Sequence, residues 1–107
     1  MTIIKVHSLS EKFATRESGA AARELVLRQL SLVDHPVTLD FEGIEPTPSF
    51  ADEFVGRLAE ELGEECFHKR VRFVNLKDPA RLLLQNVVTK RLRSGTEPSR
   101  NSLCASP

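Results

Sequence analysis

A chain of 107 residues, 40% hydrophobic and 28% charged, has the size and composition of one soluble domain that buries a modest core without staples. Fifteen basic residues balance fifteen acidic ones, which argues against general nucleic-acid binding through a strong positive field. With no Trp or Tyr, the aromatic part of the core falls to six Phe residues, which favours a plain Phe, Leu and Val interior over an aromatic ligand cage.

Thr2 to Val6 (TIIKV) is a short β-branched run with the pattern of a buried strand. Charge returns soon after it, too soon for a signal peptide or a membrane span, so the expected location is the cytoplasm. Ser8 to Lys12 reads as a polar turn and Phe13-Ala14 as a brief further strand. Thr15 is placed to cap a helix over Arg16 to Leu32, its hydroxyl accepting from a free amide of the first turn. Ala22, Val26, Leu30 and Val33 recur on one face of that helix, with Ala21 and Leu25 beside them. Gly19 weakens the helix by up to about 1 kcal/mol relative to Ala, which suggests that something packs closely there. Pro36 disfavours helical geometry at His35 and ends the element.

Val37 to Phe41 (VTLDF) is the clearest strand. Glu42 to Pro48 is a loop punctuated by Gly43, Pro46 and Pro48, with Ile44 turned inward. Ser49 is expected to open and cap the strongest helix, with Asp52 reaching back to complete the cap. Phe50, Phe54, Leu58 and Leu62 form an i, i+4 stripe widened by Ala51, Val55 and Ala59, while Asp52, Glu53, Glu60 and Glu61 occupy the other face. Gly63 is a natural left-handed stop. Val71 to Val74 (VRFV) makes a third strand. Asp78 is expected to cap the last helix, with Pro79 in its first turn and Ala80, Leu83, Leu84, Val87 and Val88 as its buried face. Lys90, Arg91 and Arg93 gather where the helix dipole favours positive charge. Residues 1–93 read as the domain, and Ser94 to Pro107, rich in Ser, Pro and Asn without periodicity, as a flexible C-terminal tail. The alternation of strands and helices predicts an α/β fold: a small, largely parallel or mixed sheet of three to four strands with three helices and right-handed crossovers.

Charge is unevenly distributed. Asp40 to Glu65 holds nine acidic residues against Arg57, and Cys66 to Arg93 holds eight Lys or Arg against Asp78. Two helices with opposite solvated faces explain this, as does a surface with an acidic and a basic side that orients a charged partner. Cys66 and Cys104 match no zinc or redox spacing and read as free thiols. His7, His35 and His68 show no ligand spacing, so no metal site is expected. The basic set His68, Lys69, Arg70, Arg72 and Lys90 to Arg93 lacks interleaved aromatics beyond Phe67 and Phe73, which are expected to face the core, so nucleic acid is an unlikely partner.

The segment Thr38 to Leu62, TLDFEGIEPTPSFADEFVGRLAEEL, resembles the STAS-like domain family of unknown function. The matching elements are Asp40-Phe41 at the end of a strand, then Gly43-Ile44, then Ser49-Phe50-Ala51-Asp52-Glu53 opening a helix. Thr15-Arg16 with Gly19 is similar to the family's first helix start, and Val71 to Leu76 to its last strand. The resemblance implies a STAS-like fold. Related STAS domains include anti-sigma factor antagonists, which bind a histidine-kinase-like ATPase acting as a serine kinase. Phosphorylation of a serine at their loop-to-helix junction breaks that complex. Ser49 stands at the junction here. The usual Asp-Ser-(Ser or Thr)-Gly run reads Pro48-Ser49-Phe50-Ala51, which aligns the phosphorylated position with Phe50.

The resulting expectation is a non-catalytic regulatory or adaptor protein without a cofactor, binding a histidine-kinase-like ATPase or another signalling protein. Its contact surface would comprise Glu42, Gly43, Pro46, Thr47, Ser49, Phe50, Asp52 and Glu53, with Ser49 as a phosphosite. One alternative is a sensor holding an anion at the helix start around Ser49 and Phe50. Another is an enzyme using Asp40 and Asp52, although no nucleophile, electrophilic group or cofactor loop is legible beside them. Asp40 is otherwise expected to bond loop amides or pair with a base such as Arg16.

Overall fold

The computed structural model describes residues 2–9 and 14–93. Two features expected from sequence, a strand at Phe13-Ala14 and a tail over 94–107 carrying Cys104, lie wholly or partly outside these residues. Strands β1 (Thr2–Lys5), β2 (Val37–Asp40) and β3 (Val71–Val74) form one parallel sheet in the order β1-β2-β3. Thr2, Val37 and Val71 lie in register at one end, and Lys5, Asp40 and Val74 at the other. The Phe41 amide extends the pairing by donating to the Val74 carbonyl at 3.1 Å. Among the described residues there is no fourth strand.

Helix α1 (Arg16–Leu32) starts as its sequence dictates, with the Thr15 hydroxyl accepting from the Ser18 amide. Its last carbonyls are satisfied from a distance. The Arg70 guanidinium donates to the Leu30, Val33 and His35 carbonyls at 3.1, 2.9 and 3.3 Å, answering the orphan acceptors that every helix end leaves. This removes Arg70 from the basic surface that the sequence alone suggests.

Helix α2 occupies residues 48–62 in three continuous stretches: Pro48–Ala51, a wide π-helical turn over Asp52–Gly56, and Arg57–Leu62. An i, i+4 stripe drifts by about 40° per step around a regular α-helix, enough to carry its far end out of the core. A wide turn winds back part of that drift, and Phe50, Phe54, Leu58 and Leu62 are all buried. Such a turn also displaces carbonyls from the helical ladder. The Glu53 carbonyl is taken up by the Arg23 guanidinium of α1, which also reaches a Glu53 carboxylate oxygen at 2.8 Å.

Gly63, at φ +86°, ends α2 as expected, but a further short helix follows at once, α3 (Glu64–Arg70), giving four helices among the described residues where three were expected. Its signal was in the charge order, with Glu64 and Glu65 in the first turn, His68, Lys69 and Arg70 in the last, and a Glu65–Lys69 pair at 3.1 Å. Helix α4 (Ala80–Arg93) buries Ala80, Leu84 and Val87. Asp78 accepts from the Arg81 side chain at 3.1 Å at its entry, while the Arg81 amide donates to the Lys77 carbonyl.

Right-handed crossovers between neighbours in this order put both connections on one face of the sheet. Strand burial agrees. Val37, Leu39 and Phe41 are buried, whereas Ile3 (54% exposed), Lys5, Arg72 and Val74 (41% exposed) face the other way. Phe41 links the layers, with its ring 6.3 Å from Phe54 of α2 and 5.9 Å from Phe73 of β3. Phe67 of α3 joins the cluster at 6.0 Å from Phe73. Cys66 is a buried thiol outside any disulfide.

Gly19 meets α2 at close range. A Cβ there would lie 2.8 Å from the Phe50 carbonyl oxygen and 3.1 Å from the Phe54 amide nitrogen. Backbone atoms cannot swing aside as a side-chain tip does. Gly19→Ala is therefore expected to lower stability by about 1–3 kcal/mol in urea denaturation, despite the higher helix propensity of Ala.

Candidate functional site: a cleft at the carboxyl ends of the strands

Parallel α/β sheets offer ligands and partners the crevice beyond the carboxyl ends of their strands. Here the loops after β2 and β3 enclose a cleft of about 920 Å³ at that place. Its apolar lining comes from Phe41, Ile44 and Pro46 on one side and Pro79, Ala80 and Leu83 on the other. Glu42, Glu45, Lys77 and Asp78 supply the charges.

Asp40 ties the two walls together. One of its carboxylate oxygens accepts from the Glu42 amide and from Asn75 Nδ2, both at 2.9 Å. Donation from Asn75, then from the Glu42 amide, holds the Asp40 carboxyl below the usual carboxylate range. Asp40 thus bonds loop groups as expected, and not Arg16, which turns instead to Asp52 and Glu53. Asn75 sits at φ +56°, a conformation that Asn tolerates better than most residues. Gly43, at φ +75° with open space around it, turns the first loop outward, and the Ile44 amide closes the turn onto the Phe41 carbonyl at 3.0 Å.

The eight residues expected to form a contact surface divide sharply. Glu42 and Gly43 are exposed, and Pro46 is buried in the cleft lining. Thr47, not Ser49, caps α2: its hydroxyl accepts from the Phe50 amide at 3.2 Å and donates to the Ala14 carbonyl at 2.9 Å. The chain enters the helix through Pro48 at its first position, so the cap falls one residue before the proline. Ser49 lies half-buried inside the first turn, and the expected Ser49–Asp52 cap does not form. Phe50 is completely buried and has no side-chain surface to offer.

Asp52 and Glu53 face neighbouring helices. Arg91 of α4 grips Asp52 with two bonds of 2.9 and 2.7 Å, and Arg16 of α1 adds a third at 3.0 Å. Glu53 pairs with Arg23 at 2.8 Å, while Glu60 and Glu61 lie 3.8 and 3.4 Å from Arg91 and Arg23. The face expected to be solvated is a set of interhelical ion pairs. The Arg91 bonds, followed by those of Arg16, lower the Asp52 carboxyl to about 2. That is far from the near-neutral pKa that general acid–base catalysis uses.

Part of the donor set that an anion would need at this helix start is already in use. Pro48 has no amide hydrogen, the Phe50 amide goes to the Thr47 hydroxyl and the Ala51 amide to the Thr47 carbonyl. Among the described residues no three His, Cys, Asp or Glu side chains come together to hold a metal ion. No described helix is long and apolar enough to cross a membrane. The second wall of the cleft, at Asn75, Lys77 and Asp78, was missed from sequence. Its signal was the loop's position directly after a parallel strand.

A family model for STAS-like domains of unknown function matches residues 18–81, which run from the first turn of α1 to the start of α4 and include every cleft-lining residue except Leu83. The chain belongs to this family. Comparison with curated proteins and with solved structures gives no match. The matched residues include the stretch 38–62 whose motifs carried the resemblance, and the parallel α/β architecture of this STAS-like domain agrees with the assignment.

Two outcomes follow for this STAS-like domain. Thr47→Ala is expected to cost about 1 kcal/mol in thermal or urea denaturation, whereas Ser49→Ala costs less than half as much. Asp52 has a folded pKa near 2 against an ordinary 3.8, so its stabilisation is complete above the unfolded value and lost as pH falls from about 4 to 2. The loss amounts to roughly 2 kcal/mol in urea titrations at stepped pH, and Asp52→Asn, less stable at neutral pH, removes that part of the acid slope.

Proposed function

We propose that this STAS-like domain is a non-catalytic regulatory or adaptor module that binds a signalling protein, with a histidine-kinase-like ATPase as the first candidate. The contact surface is the loop over residues 42–47 together with Ser49, while Phe50, Asp52 and Glu53 hold the helix behind it. The observation that carries this reading is a loop both exposed and anchored. Glu42, Gly43 and Glu45 face solvent while Phe41, Ile44 and Pro46 are buried beneath them. A loop pinned in this way loses little conformational freedom on docking, so more of its contact energy appears as affinity.

Ser49 supports a switch on the same surface. Thr47 performs the capping, which leaves the Ser49 hydroxyl outside the cap and half-exposed. A phosphate there would add up to two negative charges beside the acidic loop and repel a partner that docks on it. The test is co-purification of the tagged chain from its native cells, with the complex measured for wild type, Ser49→Ala and Ser49→Asp. The expected result is a stoichiometric ATPase complex kept by Ser49→Ala and weakened at least tenfold by Ser49→Asp, with phosphate on Ser49 in some cells. Equal complexes from all three, with no phosphate found, remove the switch. Absence of any ATPase removes that partner.

A further inference from the structure

We infer that the cleft between the loops after β2 and β3 receives a basic segment of a protein partner, one that inserts an apolar side chain between Arg or Lys residues. The inference rests on the reading that this loop is a partner surface and adds the chemistry of what docks there. Charge is the first argument. Glu42 and Glu45 line the cleft against the single ammonium of Lys77, while Asp78 is already paired with Arg81 at 3.1 Å, so the site keeps a small excess of negative charge, carried by the loop after β2. Among the described residues neither Glu42 nor Glu45 forms an ion pair, and both are exposed, so their charge is available to an incoming molecule. The carboxylates of α2 contribute no comparable surface, because arginines of α1 and α4 already neutralise them.

The apolar lining is the second argument. Half-buried Leu83, with the edges of the largely buried Phe41 and Ile44, forms an apolar floor beside the acidic rim of Glu42 and Glu45, and Phe41 packs back onto Phe54 and Phe73. Among the described residues no cluster of His, Cys, Asp or Glu gathers there to hold a small inorganic cation, and the exposed Glu42 and Glu45 disfavour a phosphate-rich polymer. A peptide segment with an aliphatic side chain beside guanidinium or ammonium groups matches both the apolar floor and the Glu42 and Glu45 rim. The Asp40 bridge between the Glu42 amide and Asn75 keeps the two walls a fixed distance apart, so the recognition surface exists before the partner arrives.

The experiment titrates the full-length, isotope-labelled chain with a synthetic peptide of alternating arginine and leucine, and separately with its counterpart carrying glutamate for each arginine. The expected result is saturable binding of the basic peptide, at least about tenfold tighter than the acidic one, weakening as salt rises from about 0.05 to 0.5 M. Amide shifts fall on residues 41–46 and 75–83. The Glu42→Lys/Glu45→Lys variant, altered only at exposed positions and checked for an unchanged melting temperature, loses about tenfold in affinity. Equal binding of both peptides, binding unaffected by the charge reversal, shifts centred elsewhere, or no binding of the basic peptide overturns the inference. The ATPase complex and its response to Ser49→Asp are read separately, so a cleft that rejects basic peptides while that complex persists sinks only the chemistry proposed here.

Discussion

One helix, α2, is pressed from both sides, and most of the structure follows from how closely its neighbours approach. Gly19 of α1 lets the backbone of α2 come to within van der Waals contact, and Gly56 does the same toward Arg91 and Val87 of α4. At that separation the acidic face of α2 falls within reach of Arg16, Arg23 and Arg91. The pairs are partly buried, where a charge left alone is costly and a charge with two or three donors is not. Short range and charge pairing therefore depend on each other. A side chain at either glycine would push the helices apart and leave carboxylates without their guanidiniums.

This arrangement divides α2 and the loop before it into two functions. The phenylalanine and leucine stripe faces the sheet, the acids face the flanking helices, and little of the helix remains for anything else. What is left to meet another molecule is the loop before it and the first turn, where Glu42, Gly43, Glu45 and Ser49 reach solvent. The loop can present those groups because Ile44 and Pro46 are sunk into the protein and because Asp40 fastens it to the opposite wall. The proposed contact surface and the scaffold are thus adjacent along the chain but use different side chains.

Much of this was legible in the residues. Alternation of β-branched runs marked all three strands, Thr15 marked the start of α1, and the tight approach at Gly19 was foreseen from its cost to the helix. The i, i+4 spacing placed Phe50, Phe54, Leu58 and Leu62 in the core. Other features depend on tertiary partners that periodicity does not see. Whether Asp52 and Glu53 face water or arginine depends on residues 30 to 39 positions away in sequence. The cap of α2 falls on Thr47 because Pro48 already has helical φ, a local rule that the more familiar Ser-x-x-Asp pattern at Ser49 obscured. Helix α3 is short, with Cys66 and Phe67 as its buried residues, and a period cannot be read from two adjacent positions.

Among the described residues the helices cover one face of the sheet alone, which has a consequence for how the molecule breathes. Parallel strands ordinarily lie between two layers, each shielding the ladder from water. Among the described residues only β2 has a neighbour on both sides, and its outward Thr38 is screened by Ile3 and Arg72 in register with it. Among the same residues no strand pairs the outer edges of β1 and β3 and no helix lies across their second face. Brief local openings therefore concentrate in the outer strands, and β2 with the middle of α2 forms the slowest-exchanging unit of the fold.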